Sequence, residues 1–535
     1  MTPIATLTDQ QAESTISLEP CPAVAEEKPE TTSHAEALKS TSIIGGSTVI
    51  VMLIRILRTK VLAILLGPAG IGLEAIYDSV ITLSKTAVDL GISSAGVREI
   101  AAAVGSGSPT VIATTVFTLR RVCLLLGIVG AAALFLSREA VGRLAFGNAD
   151  HASDIGLLSI ILLFGAVMGG QGALLQGMRR IGDLAKMNMF GALAGAALSI
   201  PIVYVWGRAG IPAYMVLGAG VGVFISWSYA RRVRIEPVKV SFRQITGESR
   251  SLLKLGLVFL ASGLMTTGAL FLLRVFVTRQ EGVYGAGQFQ AASALSMVYV
   301  GFVLQAMGTD FYPRLTVVAH DNRRCNQLVN EQAEISILLA LPGVLATLAL
   351  APWVIQLFYS TKFDKAAEIL CWQVTGTFLQ VNSWPIGFIL LAKGRAAALF
   401  WTDLASYSVY VVLGWVGLKL FGLPGTGMAF LGLYAFHWCI VYAIVRRVSG
   451  FTLSPTNVRL SLLGVTTVAI TLCTRLTLSE PWATMIGCAL ALGTGLYTMR
   501  TLIQLVGIDK INGRLRRVGL SFLTLKPARP KTRRD

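Results

Sequence analysis

The chain contains 535 residues, of which 54% are hydrophobic and only 14% are charged. Soluble domains carry about 25% charged residues, so a water-soluble fold could not cover this much apolar sequence. The net charge of +18 would indicate nucleic-acid binding in a soluble protein, but in a membrane protein excess Lys and Arg first report which loops face the cytoplasm. The seven cysteines are scattered without a C-x-x-C pair, which argues against a disulfide framework, a zinc site or a redox pair.

Long apolar runs follow one another along most of the chain. They are continuous rather than alternating, as at 157–168 and 335–350, which is typical of helices and not of membrane β-strands. A helix needs about 20 mainly apolar residues to cross the hydrocarbon. The sequence therefore predicts an all-α polytopic membrane protein with about fourteen transmembrane helices, at 41–66, 71–92, 111–137, 154–177, 187–207, 210–230, 255–279, 284–309, 334–358, 366–391, 396–421, 424–445, 458–476 and 482–506.

Lys and Arg residues are concentrated in alternate loops, most heavily at 231–254. Because cytoplasmic loops retain basic residues, we expect these loops and both chain termini to face the cytoplasm. Residues 1–38 are polar and lack the features of a signal peptide, so they are expected to form a disordered cytoplasmic tail. Residues 508–535 form a basic tail that is expected to lie against anionic lipid. Since topology explains the basic excess, no nucleic-acid partner is expected.

A short pattern occurs twice in the chain. Gly70-Ile71-Gly72 returns as Gly285-Ala286-Gly287, 215 residues later, and the Leu-Lys pair at 38–39 returns at 253–254 with the same offset. Six predicted spans precede the basic loop at 231–250 and six follow it, which indicates two pseudo-repeated six-helix lobes.

The expected division follows from this repeat. We predict an N-terminal lobe with its connecting loop at 39–250, a C-terminal lobe at 251–450, and two appended helices at 451–507. In a duplicated bundle the cavity is expected to lie between the lobes.

Four charged residues fall on one face of the second predicted span. Glu74, Asp78, Lys85 and Asp89 are spaced 4, 7 and 4 residues apart, so at 3.6 residues per turn they form one stripe. Ionisable groups inside a span are costly and normally face a partner or a wet cavity. Two interpretations stay open: an internal salt-bridge ladder of Lys85 with Asp89 and Arg58 with Asp78, or the lining of a cavity.

Three arginines occupy related positions in the two halves. Arg55 and Arg58 share a face of the first span, and Arg274 matches Arg58 at the repeat offset within one residue. A guanidinium keeps its charge and presents a fork that suits phosphate oxygens. We therefore expect a cluster between the lobes that binds an anionic headgroup.

Three glutamine side chains are further candidates for the cavity: Gln288, Gln305 and Gln373. For each of them, hydrogen bonding between helices is the competing interpretation.

Several segments resemble Wzx-type oligosaccharide flippases of the multidrug/oligosaccharidyl-lipid/polysaccharide exporter superfamily. The stretch Thr59-Lys-Val-Leu-Ala-Ile-Leu-Leu-Gly-Pro-Ala-Gly-Ile-Gly-Leu73 is similar to the opening of these proteins, and so are Leu90 to Ala101 and Gln176 to Gly182. Phe311 to Leu315 and Phe358 to Gly394 resemble flippases of the enterobacterial common antigen and of O-antigen.

The resemblance implies a two-lobed exporter in the bacterial inner membrane. Such a protein carries an undecaprenyl-diphosphate-linked oligosaccharide from the cytoplasmic to the periplasmic leaflet for O-antigen or lipopolysaccharide biosynthesis, works among membrane lipids without a cofactor, and has a polysaccharide polymerase and a chain-length regulator as partners. The two appended helices depart from the commoner twelve-span pattern.

The working hypothesis is alternating-access flipping, without enzymatic chemistry and without a metal site. Arg55, Arg58, Arg274, Lys85 and the three glutamines are the candidate substrate contacts. Glu74, Asp78 and Asp89 are the candidate gates or sites of a coupling ion, H⁺ or Na⁺. The alternatives are a cation-coupled multidrug antiporter of the same superfamily and a membrane glycosyltransferase or polymerase, although no loop is long enough for a soluble catalytic domain.

Overall fold

The computed structural model describes residues 30–506 apart from 234, 236–241 and 307–310. Within that range, side chains are described except at 30–45, 242–259, 262, 298–300, 302–306 and 506. The described secondary structure is helical. The helices are α1 Glu30–Asp89, α2 Ile92–Gly105, α3 Pro109–Leu136, α4 Arg138–Phe146, α5 Ala152–Leu158, α6 Ile160–Gly177, α7 Ile181–Trp206, α8 Gly210–Ala230, α9 Phe242–Ala306, α10 Tyr312–Val317, α11 Asn322–Ala349, α12 Ala351–Phe358, α13 Asp364–Ala392, α14 Ala396–Phe421, α15 Leu423–Ser449, α16 Pro455–Thr477 and α17 Glu480–Val506.

Nine segments of the described residues are long and apolar enough to cross a membrane. One of them, Ile181–Ala230, contains both α7 and α8, which a 3₁₀ turn at Gly207–Ala209 joins. These segments match the predicted spans outside α1 and α9 closely, with one exception. The span predicted at 334–358 is instead α11, Asn322–Ala349, and residues 351–358 form the separate helix α12. The chain is therefore an all-helical, multi-pass membrane protein. The total of fourteen spans stays a prediction, because the four spans expected within α1 and α9 are not among the nine.

The two longest helices are each divided by one glycine. Gly67 breaks α1 with φ 65° and ψ −173°, and Gly282 breaks α9 with φ 67° and ψ −176°. This backbone conformation is open essentially to glycine alone. The two breaks are 215 residues apart, which is the offset of the repeated sequence pattern. The repeat of two six-helix lobes stays a prediction, with which this agreement is consistent. The part of the chain from α1 to α8 is called the first half, and the part from α9 to α15 the second half.

The broken helices form the centre of the packing. Helix α1 packs against α7 and α9, while α9 also packs against α13 and α14. The main apolar core runs through both halves and includes Leu62, Ile76, Phe289 and Phe378, all of which are almost fully buried. The interface between the halves is thus continuous with the core of each half.

The appended helices α16 and α17 pack against α11 of the second half. At one end of this contact, Asn457 Nδ2 donates to the backbone oxygen of Asn330 at 2.9 Å, and the backbone N–H of Ser454 donates to Asn330 Oδ1 at 2.8 Å. The pair is therefore joined to the second half by polar contacts as well as by apolar packing.

Candidate functional site: an arginine cluster between two halves

The breaks of α1 and α9 bring the two halves into backbone contact. A Cβ atom added at Gly72 would overlap the carbonyl of Val283, and one added at Gly287 would overlap the carbonyl of Pro68. Adding 215 to the number of Gly72 gives Gly287, and subtracting 215 from that of Val283 gives Pro68. The two contacts are therefore related by the same repeat. The second glycine of each Gly-x-Gly pattern is therefore needed for this close approach of α1 and α9.

Arg58 lies on α1 before the break and reaches the segment after it. Its Nη2 donates to Glu74 Oε1 at 2.8 Å, and its Nε donates to Ser199 Oγ at 2.9 Å. The guanidinium carbon lies 5.3 Å from the centre of the Tyr214 ring. The ion pair is only partly covered, since the two side chains are 26% and 20% exposed.

Arg274 is held differently, by neutral groups from both halves. Its Nη2 donates to Gln290 Oε1 at 2.6 Å, and its Nη1 donates to the backbone oxygen of Ala75 at 3.2 Å and to Ser79 Oγ. Gln290 lies 16 residues after Arg274, as Glu74 lies 16 residues after Arg58. Because the second half has an amide where the first has a carboxylate, the charge of Arg274 is not neutralised by an ion pair within the described part of the chain.

Asp78 and Arg55 complete the cluster. Asp78 interacts electrostatically with Arg274, Arg58 and Arg55, so these charges converge on one region. Asp78 and Arg55 are both exposed, and neither makes a hydrogen bond or ion pair with another described residue. The expected pair of Arg58 with Asp78 is not formed; Arg58 pairs with Glu74 instead, one turn closer to the break. The five charged side chains carry a formal charge of +1.

A cavity of about 530 Å³ lies beside the cluster, between α1 and α9. Its walls are mainly apolar and include Val51, Met52, Leu295 and Tyr359, and Arg55 is the charged residue among the described residues that line it. We call it the interface cavity. An elongated apolar ligand with an anionic end matches this combination of surfaces.

Lys85 and Asp89 lie farther along α1, at about 10 and 16 Å beyond Asp78 by helical rise. Both line a small pocket that also includes Cys123 of α3. Asp89 accepts a hydrogen bond of 2.5 Å from Ser93 Oγ and forms no ion pair with Lys85. The charged stripe is therefore divided between two regions.

The glutamine candidates connect helices. Gln288 is fully buried; it donates to the backbone oxygen of Lys362 at 3.0 Å and accepts from the backbone N–H of Ala366 at 3.0 Å. Gln373 is 1% exposed and donates to Ser293 Oγ at 3.0 Å. The structure thus agrees with interhelical hydrogen bonding for both. The side chain of Gln305 lies outside the described residues.

The sequence did not identify all of the residues that orient Arg58 and Arg274. Ser199 and Tyr214 lie on α7 and α8, where a hydroxyl within an apolar span carries little sequence signal. Gln290 carries a stronger signal, because its distance from Arg274 equals that between Arg58 and Glu74. Within the described residues, no group of three or more His, Cys, Asp or Glu side chains is suited to hold a metal ion.

The sequence matches a family model described as polysaccharide biosynthesis protein over residues 61–368, more than half of the chain. The lipid III flippases of Escherichia coli (strain K12) and of Shigella flexneri are each 23% identical to it over 426 residues, covering 75% of this chain and 97% of theirs.

Solved structures share the fold. The lipid II flippase MurJ in an inward closed conformation matches with a TM-score of 0.63 and 12% identity, over 86% of this chain and 99% of that chain. An inward-facing multidrug resistance MATE family transporter of the MOP superfamily matches with a TM-score of 0.59 and 16% identity, over 73% of this chain and 94% of that chain. These proteins are flippases and transporters rather than enzymes, which agrees with the expected transport class. The matched model and its extent show that this chain belongs to the polysaccharide biosynthesis protein family.

Proposed function

We propose that the protein flips a polyprenyl-diphosphate-linked oligosaccharide from the cytoplasmic to the periplasmic leaflet of the bacterial inner membrane. The observation that carries this proposal is the position of Arg55 and Arg274. Each contributes a guanidinium without an ion-pair partner among the described residues, one from each half, and Arg55 lines the apolar interface cavity.

The chemistry of the cluster suits a diphosphate. Guanidinium groups make short, charge-assisted and often bidentate hydrogen bonds to phosphate oxygens. The cluster of Arg55, Arg58, Arg274, Glu74 and Asp78 has an excess positive charge, so a diphosphate supplies the missing negative charge. The apolar walls of the interface cavity suit the polyprenyl chain. The exposed side chains of the cluster, Arg55 and Asp78, lie where the sugars can stay hydrated.

The acidic residues receive separate roles in this proposal. Glu74 holds Arg58 in the ligand-free cluster and releases it when phosphate oxygens take its place. Asp78, which is exposed and unpaired among the described residues, is the candidate site of a coupling H⁺ or Na⁺. Lys85 and Asp89 are candidates for contacts that the substrate makes later in its transfer, since they lie about two to three turns beyond Asp78 along α1.

Alternating access follows from the contact between the broken helices. With both termini in the cytoplasm, the contact of Gly72 with Val283 lies at the periplasmic end of the interface. Its opening, together with closure of the opposite end, would transfer the headgroup between leaflets.

Binding of polyprenyl diphosphate to the full chain in lipid nanodiscs tests the proposal. We expect Arg55→Ala and Arg274→Ala each to weaken binding roughly tenfold or more, the range for a lost charged hydrogen bond. Polyprenyl monophosphate should bind more weakly than the diphosphate to the unmodified chain. Arg121→Ala is the matched control, because Arg121 is an exposed arginine of α3 outside the cluster. Equal affinities for all three variants would refute the assignment.

A second candidate function, cation-coupled export of organic cations, is favoured by a separate cavity of about 210 Å³ in the second half. Asp403 faces it together with the aromatic side chains of Trp384, Tyr407 and Tyr434. A carboxylate among aromatic rings attracts a cation. Efflux of a cationic dye that is lost in Asp403→Asn or Asp78→Asn, with no binding of polyprenyl diphosphate, would favour this alternative.

A further inference from the structure

A further cavity lies where the appended helices α16 and α17 meet α12, α13 and the turn between them. Its volume is about 460 Å³, which is within the range of small-molecule sites. We call it the junction cavity. Its polar lining comes from all four helices and from the turn: Gln356, Ser360, Asp364, Glu368, Arg475 and Glu480.

The charge of the junction cavity is balanced only in part, because its lining carries Asp364, Glu368 and Glu480 against Arg475, a formal charge of −2. Arg475 Nη2 donates to Glu480 Oε1 at 2.7 Å, and the Arg475 side chain is only 12% exposed. Asp364 Oδ1 accepts hydrogen bonds from Gln288 Nε2 at 3.2 Å and from Tyr284 Oη at 3.3 Å. The remaining negative charge disfavours a phosphate or another anionic group in this cavity, and the described residues form no cluster suited to a metal.

Two polar groups of the cavity make no hydrogen bond with the described residues. The Glu368 carboxylate is exposed and makes no hydrogen bond or ion pair with the other described residues. The Ser360 hydroxyl is buried and also lacks a partner in the described structure. The amide of Gln356 adds both a donor and an acceptor. Sugar hydroxyls, which both donate and accept hydrogen bonds, match this mixed set.

The junction cavity shares a wall with the interface cavity. Phe358 and Tyr359 line the interface cavity, whereas Gln356 and Ser360 line the junction cavity. Lys60 Nζ on α1 donates to the backbone oxygen of Gln356 at 2.7 Å and so fixes this segment against the first half. When the phosphate of a ligand lies near Arg55, only the short segment 356–360 separates that ligand from the junction cavity.

We infer that the junction cavity binds the sugar part of the translocated lipid, through neutral hydroxyl-rich rings, on the periplasmic side. This inference rests on the proposed function and gives α16 and α17 a role in it. Glu368 and Ser360 contact sugar hydroxyls, while the pair of Arg475 with Glu480 forms the wall contributed by the appended helices.

The experiment uses the full chain in nanodiscs and the oligosaccharide released by mild acid from polyprenyl-linked lipids of the cell that carries this protein, freed of lipid and phosphate. Calorimetric titration should detect binding to the unmodified chain. We expect Glu368→Leu to weaken this binding roughly tenfold or more. Lys365→Leu is the control, since Lys365 is exposed on the same helix but does not line the cavity. Ser360→Val is a second, smaller change, and retained binding of polyprenyl diphosphate verifies that each variant is folded.

The outcomes separate this inference from the proposed function. Binding of the free oligosaccharide should be unchanged in Arg274→Ala, whereas binding of the intact lipid-linked molecule should fall. An unmodified chain that fails to bind the free oligosaccharide at millimolar concentration overturns the junction site and leaves the arginine cluster unaffected. The junction site is also overturned if Glu368→Leu and Lys365→Leu weaken oligosaccharide binding equally. It is overturned as well if neither Glu368→Leu nor Ser360→Val weakens that binding. Intact lipid that binds independently of the arginines overturns the proposed function.

Discussion

The contact between Gly72 and Gly287 provides a direct way to shift the conformation of the protein. In Gly72→Ala, the new Cβ would overlap the Val283 carbonyl and lie 2.7 Å from the backbone nitrogen of Gly287, whereas real Cβ atoms essentially never come within 3.0 Å of another atom. The obstructing atoms are backbone, so no side chain can rotate away. The halves must separate at this end.

The size of this effect follows from overpacking, which costs about 1–3 kcal/mol in a well-packed contact. A cost of about 1–3 kcal/mol that acts only on the closed state shifts the ratio of open to closed molecules by about 5–150-fold. Gly287→Ala should act similarly, because the repeat relates the two contacts. Either variant should therefore populate the state that is open at this end of the interface.

Pulsed electron paramagnetic resonance between spin labels at positions 65 and 284, one in each half, measures the separation. Both positions are exposed in the unmodified chain. Gly268→Ala is the matched control, because a Cβ at Gly268 of α9 meets no atom within 4 Å. We expect longer distances in Gly72→Ala than in Gly268→Ala. Identical distance distributions would refute the assignment of this contact as the closed end.

Three further predictions concern the cluster and the appended helices. Arg274→Lys should recover less than half of the diphosphate affinity lost in Arg274→Ala, because an ammonium cannot reproduce the planar fork; full recovery in a nanodisc binding assay would contradict a bidentate role. Glu74→Gln should increase affinity for polyprenyl diphosphate several-fold by releasing Arg58 from its ion pair, and a decrease in the same assay would show that Glu74 supports binding instead. Asn457→Ala should cost about 0.5–1.5 kcal/mol of stability, because it removes the hydrogen bonds from Asn457 Nδ2 to Asn330; an unchanged thermal unfolding midpoint would contradict this contribution to the docking of α16.

The sequence was most informative where one physical requirement dominates. Apolar length predicted the spans outside α1 and α9, since the hydrocarbon sets the length of a crossing helix. The repeated Gly-x-Gly pattern marked the two broken helices, and the structure supplies its reason: Gly72 and Gly287 accommodate the backbone of the opposite half.

Details of the site depend on tertiary contacts that spacing does not contain. Helical periodicity placed Glu74 and Asp78 on one face but did not distinguish which one pairs with Arg58. It also did not separate a cavity residue from an interhelical hydrogen bond, as Gln288 illustrates, because that choice depends on the position of α13.

The central claim is that guanidinium groups from both halves hold a diphosphate during its transfer between leaflets. The most direct measurement is the translocation of a labelled polyprenyl-diphosphate oligosaccharide in proteoliposomes that contain the Arg55→Ala/Arg274→Ala double variant, with Arg121→Ala as the control. We expect the double variant to lose translocation and the control to retain it. Translocation by the double variant at the rate of the unmodified chain would contradict the claim.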